Sequence, residues 1–235
     1  MSFDALLQVD AVGKQFGGLT VLNDVNFSIV PGEIVGLVGP NGSGKTTLIN
    51  VISGVHRVDS GQILLDGDPV QRLSSFRLAR RGINRTFQIP KPFRSMTVHE
   101  NIAVAAHFCG HDQVDIAAIL NETSLSGQAD MPAGVLTVNQ QKMLDLGRAL
   151  ATNPKILLID EIGAGLNPQE LAVIATLLQR LAARGIAMIV VEHLLDFLNR
   201  IAERVIVLGA GRMLFEGTLR AASQDPEVVA AFIGG

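Results

Sequence analysis

The chain contains no tryptophan, no tyrosine and a single cysteine among its 235 residues. The missing aromatics leave phenylalanine and histidine as the side chains able to stack on a ligand ring. One thiol, Cys109, excludes an internal disulfide and any metal centre built from several cysteines. Its neighbours Ala105, Ala106 and Phe108 suggest a small buried hydrophobe rather than a reactive group. Long apolar runs are also missing. Although 48% of the residues are hydrophobic, stretches such as Ile186–Val191 and Val205–Leu208 fall far short of the ~20 residues that a membrane-crossing helix needs. Met1–Asp10 lacks the basic-then-apolar order of a secretory leader. These absences predict a soluble, intracellular chain that meets a membrane only through a partner.

An excess of positive charge is lacking as well. The net charge of −3 argues against a nucleic-acid partner, because phosphate backbones select basic faces. Arg77, Arg80, Arg81 and Arg85 read as a solvated helix face.

What is present is a strand–helix rhythm. Leu6–Val12 and Asp24–Val30 read as strands around a loop at Lys14–Gly18, followed by a Pro31-Gly32 turn. Ile34–Val38, Ile156–Ile159 and Ala187–Val191 are short continuous apolar runs, as expected of strands buried on both faces of a parallel sheet. Helices are expected at Thr46–Ser53, Gln169–Arg184 and Leu194–Ile201, and a hairpin turns at Ala210-Gly211. From Val98 to Ala151 the pattern is helical, with a break around Ser126–Gly134. The pattern predicts an α/β fold: one domain over 1–235, its core at about 1–90 and 152–217, a helical insertion at about 91–151, and an extension at 218–235.

Gly39-Pro40-Asn41-Gly42-Ser43-Gly44-Lys45-Thr46 fits G-x-x-x-x-G-K-[ST], the Walker A P-loop, and lies between a buried strand and a helix start. Glycines let successive backbone N–H groups turn toward phosphate oxygens, and the helix N-terminus adds a favourable dipole. The motif assigns Lys45 to the β- and γ-phosphates of ATP and the Thr46 hydroxyl to Mg²⁺, with Thr47 next along the helix. A second element ends the Ile156–Ile159 run in Asp160-Glu161, two carboxylates at the carboxyl end of a strand, where ligands bind in open α/β sheets. Asp160 is expected to hold Mg²⁺, usually through water, and Glu161 to polarise the attacking water.

Further segments resemble the ATP-binding subunits of ABC transporters over nearly the whole chain. Gln88, in Arg85-Thr86-Phe87-Gln88, is similar to the Q-loop glutamine; Leu136-Thr137-Val138-Asn139-Gln140 occupies the signature position; Ala164-Gly165-Leu166-Asn167 is similar to the D-loop. His193 resembles the switch histidine, and Phe16 sits where an aromatic would stack on adenine. Phe16-Gly17-Gly18-Leu19, Met96-Thr97-Val98 with Glu100-Asn101, and Ala164–Pro168 most resemble the branched-chain amino acid importer ATPases.

The resemblance implies a RecA-like core with an N-terminal antiparallel β region and a shortened helical subdomain. It also implies a role for Gln88 at Mg²⁺ and the γ-phosphate, and a γ-phosphate hydrogen bond from His193. A second ATPase subunit would pair head to tail, its ATP met by Thr137, Val138, Asn139 and Gln140. Two transmembrane permease subunits, holding this chain peripherally at the cytoplasmic face of the cell membrane and served indirectly by a solute-binding protein, complete the expected assembly.

The chain departs from that pattern in places. Asn139 replaces a glycine, Thr137 a serine, and Ile162 follows Glu161 where proline is usual. Ser124-Leu125-Ser126-Gly127-Gln128 mimics the signature but lies well upstream and lacks one residue. Two readings therefore stay open: an ATPase powering solute import, and a nucleotide-dependent dimerisation switch that scarcely hydrolyses. A nucleic-acid-directed ATPase is disfavoured by the acidic balance and the single P-loop.

Overall fold

A computed structural model describes residues 5–233. A six-stranded sheet has the order β10-β9-β3-β8-β7-β6. Its members are β3 (Ile34–Val38), β6 (Ile83–Arg85), β7 (Ile156–Asp160), β8 (Ala187–Val191), β9 (Arg204–Gly209) and β10 (Arg212–Gly217). All neighbours are parallel except the β9–β10 hairpin. A second, antiparallel sheet has the order β2-β1-β4-β5, from β1 (Leu7–Phe16), β2 (Leu19–Ile29), β4 (Ser60–Leu65) and β5 (Asp68–Pro69).

Strands β3, β7 and β8 are buried at every residue. Because side chains alternate across a strand, their residues divide between two cores. Val35, Leu37, Leu158 and Ile189 join the core shared with the antiparallel sheet, α1 (Lys45–Ile52) and Leu78 of α2 (Ser75–Arg81). Ile34, Val38, Leu157, Ile159 and Val190 face the other core. There they meet α3 (Val98–Cys109), α4 (Ile116–Glu122), α5 (Val138–Leu150), α6 (Pro168–Ala183) and α7 (Leu195–Ile201). Two short helices, α8 (Leu219–Ala222) and α9 (Pro226–Ile233), close the described chain. Among the described residues no helix is long and apolar enough to cross a membrane.

The structure corrects four expectations. The Lys14–Gly18 loop is instead the end of a hairpin: β1 continues to Phe16, Gly17 and Gly18 take φ of 54° and 87°, and β2 starts at Leu19. Two consecutive left-handed residues match the twist of paired strands, and Gly-Gly supplies them without a Cβ clash. The helical stretch breaks first at Gly110, whose φ of 81° closes α3, and restarts where the Asp115 carboxylate accepts the Ala118 amide. Cys109 is half-buried rather than buried, and what burial it has pushes its thiol pKa up. Arg85 is not part of the solvated face formed by the exposed Arg77, Arg80 and Arg81; it lies on β6, and its guanidinium turns inward.

Candidate nucleotide-binding site

The glycine-rich loop leaves the carboxyl end of β3 and enters α1. At Gly39 (φ 150°) a Cβ would lie 2.2 Å from the Leu208 carbonyl oxygen, so the strand-to-loop corner admits only glycine. Gly44 precedes the helix in a left-handed conformation, φ 104°. The Lys45 ammonium folds back over the loop and donates to the carbonyl oxygens of Gly39 at 2.7 Å and Pro40 at 3.0 Å. Burial lowers its pKa, while the charges of Glu161 and Asp160 oppose the shift. The Ser43 hydroxyl is buried without a hydrogen-bond partner. Such an orphaned group in a glycine-rich loop at a helix start fits a cradle for anionic oxygens.

The loop opens on a cavity of about 210 Å³ lined by Val21, Asn41–Thr47, Glu161, Val191 and His193. Thr46 is exposed at its mouth. A larger hollow of about 740 Å³ lies by the α3–α4 turn, between Asp112, Glu122 and Arg184, and shares no residue with the cradle.

Glu161 caps β7 at the rim of the smaller cavity with φ of 50°, a conformation few non-glycine residues adopt. One carboxylate oxygen accepts from the Gln88 side-chain amide at 2.7 Å; the other lies 3.2 Å from His193 Nε2. Residues from the ends of β6, β7 and β8 thus converge on one carboxylate. Asp160 is buried behind it, and desolvation raises its pKa; Arg85 opposes that shift and the Glu161 charge adds to it. The Arg85 guanidinium stands 3.8 Å from Asp160 and donates to Asn50 Oδ1 at 2.6 Å, tying the β6 end to α1. Phe16 is not among the cavity-lining residues. Its ring meets His56 edge-on at 5.0 Å, lies 5.1 Å from the Lys14 ammonium, and is 41% exposed.

The signature segment begins α5. Thr137 Oγ1 accepts the Gln140 amide at 3.3 Å, and Gln140 Oε1 accepts the Thr137 amide at 3.0 Å, a reciprocal cap. The threonine hydroxyl can still donate outward. Thr137 and Val138 are exposed, and no residue of the segment lines the chain's own cradle cavity. Asn139 takes ordinary helical backbone. Its Nδ2 donates to Glu170 at 2.8 Å, and its Oδ1 is buried without a partner. Asn167 caps α6, accepting from the amides of Gln169 and Glu170, so the D-loop runs directly into a helix start. Ile162 is buried in the helical-side core.

Three residues beyond the motif reading also touch this region. Lys142 donates to the carbonyls of the turn after Glu161. Glu192 Oε1 accepts the Gly163 amide at 2.6 Å. The Asp145 carboxylate accepts the Phe87 amide at 2.8 Å, just before Gln88. Only Glu192, adjacent to His193, carried a signal in the sequence.

Residues 22–164 match the ABC transporter family. The chain is 33% identical, over 97% of its length and 98% of theirs, to the high-affinity branched-chain amino acid transport ATP-binding protein BraF of Pseudomonas aeruginosa. It is 35% identical, at the same coverage, to the corresponding LivG protein of Escherichia coli K12. These alignments span 249 positions, more than the 235 residues here, so the relatives carry residues without counterparts. A solved ABC-transporter ATP-binding cassette in its ADP conformation superposes with a TM-score of 0.88 at 32% identity, covering 98% of this chain and 99% of that one. A cradle after β3, paired carboxylates after β7 and these full-length likenesses converge: the chain belongs to the ABC transporter family of ATP-binding proteins.

Proposed function

We propose that the chain binds MgATP in the Lys45 cradle and hydrolyses it to power import of a small solute, branched-chain amino acids or similar compounds. The observation that carries this reading is the Glu161 carboxylate, held between Gln88 and His193 at the lip of the cavity that Lys45 lines. Phosphoryl transfer needs chiefly positioning and charge stabilisation. Gly39–Gly44 and Lys45 hold the phosphates, Thr47 adds a donor beyond them, Glu161 orients and deprotonates the attacking water, and His193 donates to the γ-phosphate. Phe16 supplies a partly exposed ring to stack on adenine.

The residues present fit Mg²⁺. The buried Asp160 carboxylate, its proton affinity raised by desolvation, adjoins Glu161, which lines the same cavity as the exposed Thr46 and accepts from Gln88. No cluster of three metal-binding side chains exists among the described residues, in keeping with an ion that completes its shell with phosphate and water. Mg²⁺, when bound, neutralises phosphate charge.

The Thr137–Gln140 segment, exposed at Thr137 and Val138, supports head-to-tail pairing with a second ATPase subunit, whose ATP it would meet. Closing that pair would shift two transmembrane permease subunits between states, with a solute-binding protein delivering cargo on the far side. The chain would lie peripherally at the cytoplasmic face of the membrane. The core at about 1–90 and 152–217 carries the cradle, and the helical part at about 91–151 carries the signature.

Titrating the purified chain with ATP and Mg²⁺, then measuring phosphate release in its native membrane complex, tests the reading. Saturable binding with solute-stimulated release is expected. Binding without release would favour the dimerisation switch, and absence of binding would remove both.

A further inference from the structure

We propose that Lys142 is a positioning residue for Glu161: from helix α5 it fixes the backbone turn on which that carboxylate is mounted. The inference rests on the role given above to Glu161.

Lys142 is only 7% exposed, unusual for an ammonium. Its three N–H donors meet three carbonyl oxygens of one turn: Ala164 at 2.7 Å, Ile162 at 3.1 Å and Glu161 at 3.2 Å. From the other side Glu192 accepts the Gly163 amide, and the Glu161 amide donates to Val191 O at 2.9 Å. The turn is therefore clamped from α5 and from the end of β8. It needs a clamp because Glu161 is left-handed there, a conformation non-glycine residues adopt only when their surroundings impose it.

Packing alone does not call for a charge at this position. Burying an ammonium opposes its protonation, and desolvation accordingly lowers the Lys142 pKa. A methionine would fill a similar volume without that penalty. What the lysine adds is three directed hydrogen bonds to carbonyls that would otherwise lose partners. Relaxing the turn would swing Glu161 away from Gln88 and His193 while leaving the Lys45 cradle, on another strand, untouched. Binding and turnover should separate.

The test compares Lys142→Met, Lys142→Gln and Lys142→Arg in the native membrane complex, with folding checked by thermal unfolding. Lys142→Met should lower kcat roughly ten- to a hundredfold, the scale of a misplaced reacting group, with KM for ATP within about twofold, as expected when only transition-state contacts are lost. Lys142→Arg should recover most of the loss, and Lys142→Gln, which also supplies the outcome should the methionine variant not fold, should fall between. In the isolated chain, amide hydrogen exchange over residues 163–166 should speed up most in Lys142→Met, less in Lys142→Gln and little in Lys142→Arg.

Parental kcat in folded Lys142→Met or Lys142→Gln overturns the proposal. So does an equal additional slowing in a Glu161→Gln background, since a residue acting through Glu161 has nothing left to position. If Glu161→Gln itself keeps full turnover, the catalytic reading of Glu161 fails; the exchange measurement still reports whether Lys142 holds the turn.

Discussion

Gln88 and Glu161, 73 residues apart in the chain, meet through a 2.7 Å hydrogen bond from the glutamine amide to the glutamate carboxylate. The contact links the β6 exit, where the helical part departs, to the group expected to act on water. It gives that part a direct hydrogen-bonded connection to the Glu161 carboxylate.

Glu161→Gln should retain ATP affinity and slow phosphate release by about 10²–10⁴, the range for losing a general base. The isosteric amide keeps the side-chain shape, so binding has no reason to change. Undiminished turnover would remove Glu161 from the mechanism.

Lys45→Ala should abolish measurable ATP binding by the purified chain in equilibrium titration. The ammonium is the one cation folded over the Gly39 and Pro40 carbonyls, and nothing else in the cavity lining carries a permanent positive charge. Unchanged affinity would refute the cradle.

Asn139→Gly should raise ATP turnover in the assembled dimer, at the partner's site in a heterodimer and at both sites in a homodimer. The substitution clears the side chain from a segment proposed to approach the opposite γ-phosphate. It also removes the hydrogen bond to Glu170 and places glycine in a helix, so stability in denaturant should fall by about 1 kcal/mol. No gain in either assembly would show that Asn139 is tolerated there.

Arg85→Met should destabilise the fold by about 3 kcal/mol in denaturant unfolding, the cost of leaving one member of a buried ion pair uncompensated. Both side chains are nearly enclosed, Arg85 at 12% and Asp160 at 7% exposure. Adding Asp160→Asn should recover part of the loss; additivity would mean the two charges do not interact.

Burial raises the pKa values of Asp145, Asp160 and Glu192. Each binds its proton to higher pH in the folded chain than in the unfolded one. Their contribution to stability is fully present below the ordinary carboxylate range, near pH 4, and is lost as pH rises through the raised folded values. Asp145→Asn keeps an acceptor for the Phe87 amide while deleting one titrating group. Its unfolding midpoint should therefore depend less on pH than the parent's as pH rises above the ordinary carboxylate range; an identical slope would contradict the shift.

The buried strands β3, β7 and β8 were legible because burial on both faces leaves continuous apolar runs. The cradle was legible because a glycine loop with Lys45 and Thr46 is a local device. The Gly17-Gly18 hairpin escaped because Gln15, Phe16, Leu19 and Thr20 extend beyond the core and carry no alternation. Arg85 and Lys142 escaped for a different reason. Their roles depend on Asp160 and on the turn after Glu161, and such partners become visible only once the sheet order is known. Asn139 drew attention for its bulk, yet where that bulk goes is decided by Glu170, a residue of another helix.

The six-stranded sheet stops at β6, a strand of three residues; just past it the Thr86 amide still bonds inward to Leu158 O of β7, and the next amide, that of Phe87, is taken by the Asp145 side chain. An unfinished sheet margin invites another polypeptide to add itself rung by rung and aggregate. Here the margin is short and the Phe87 amide beyond it is already satisfied by a side chain. A second polypeptide could stand against this edge without the two sheets fusing.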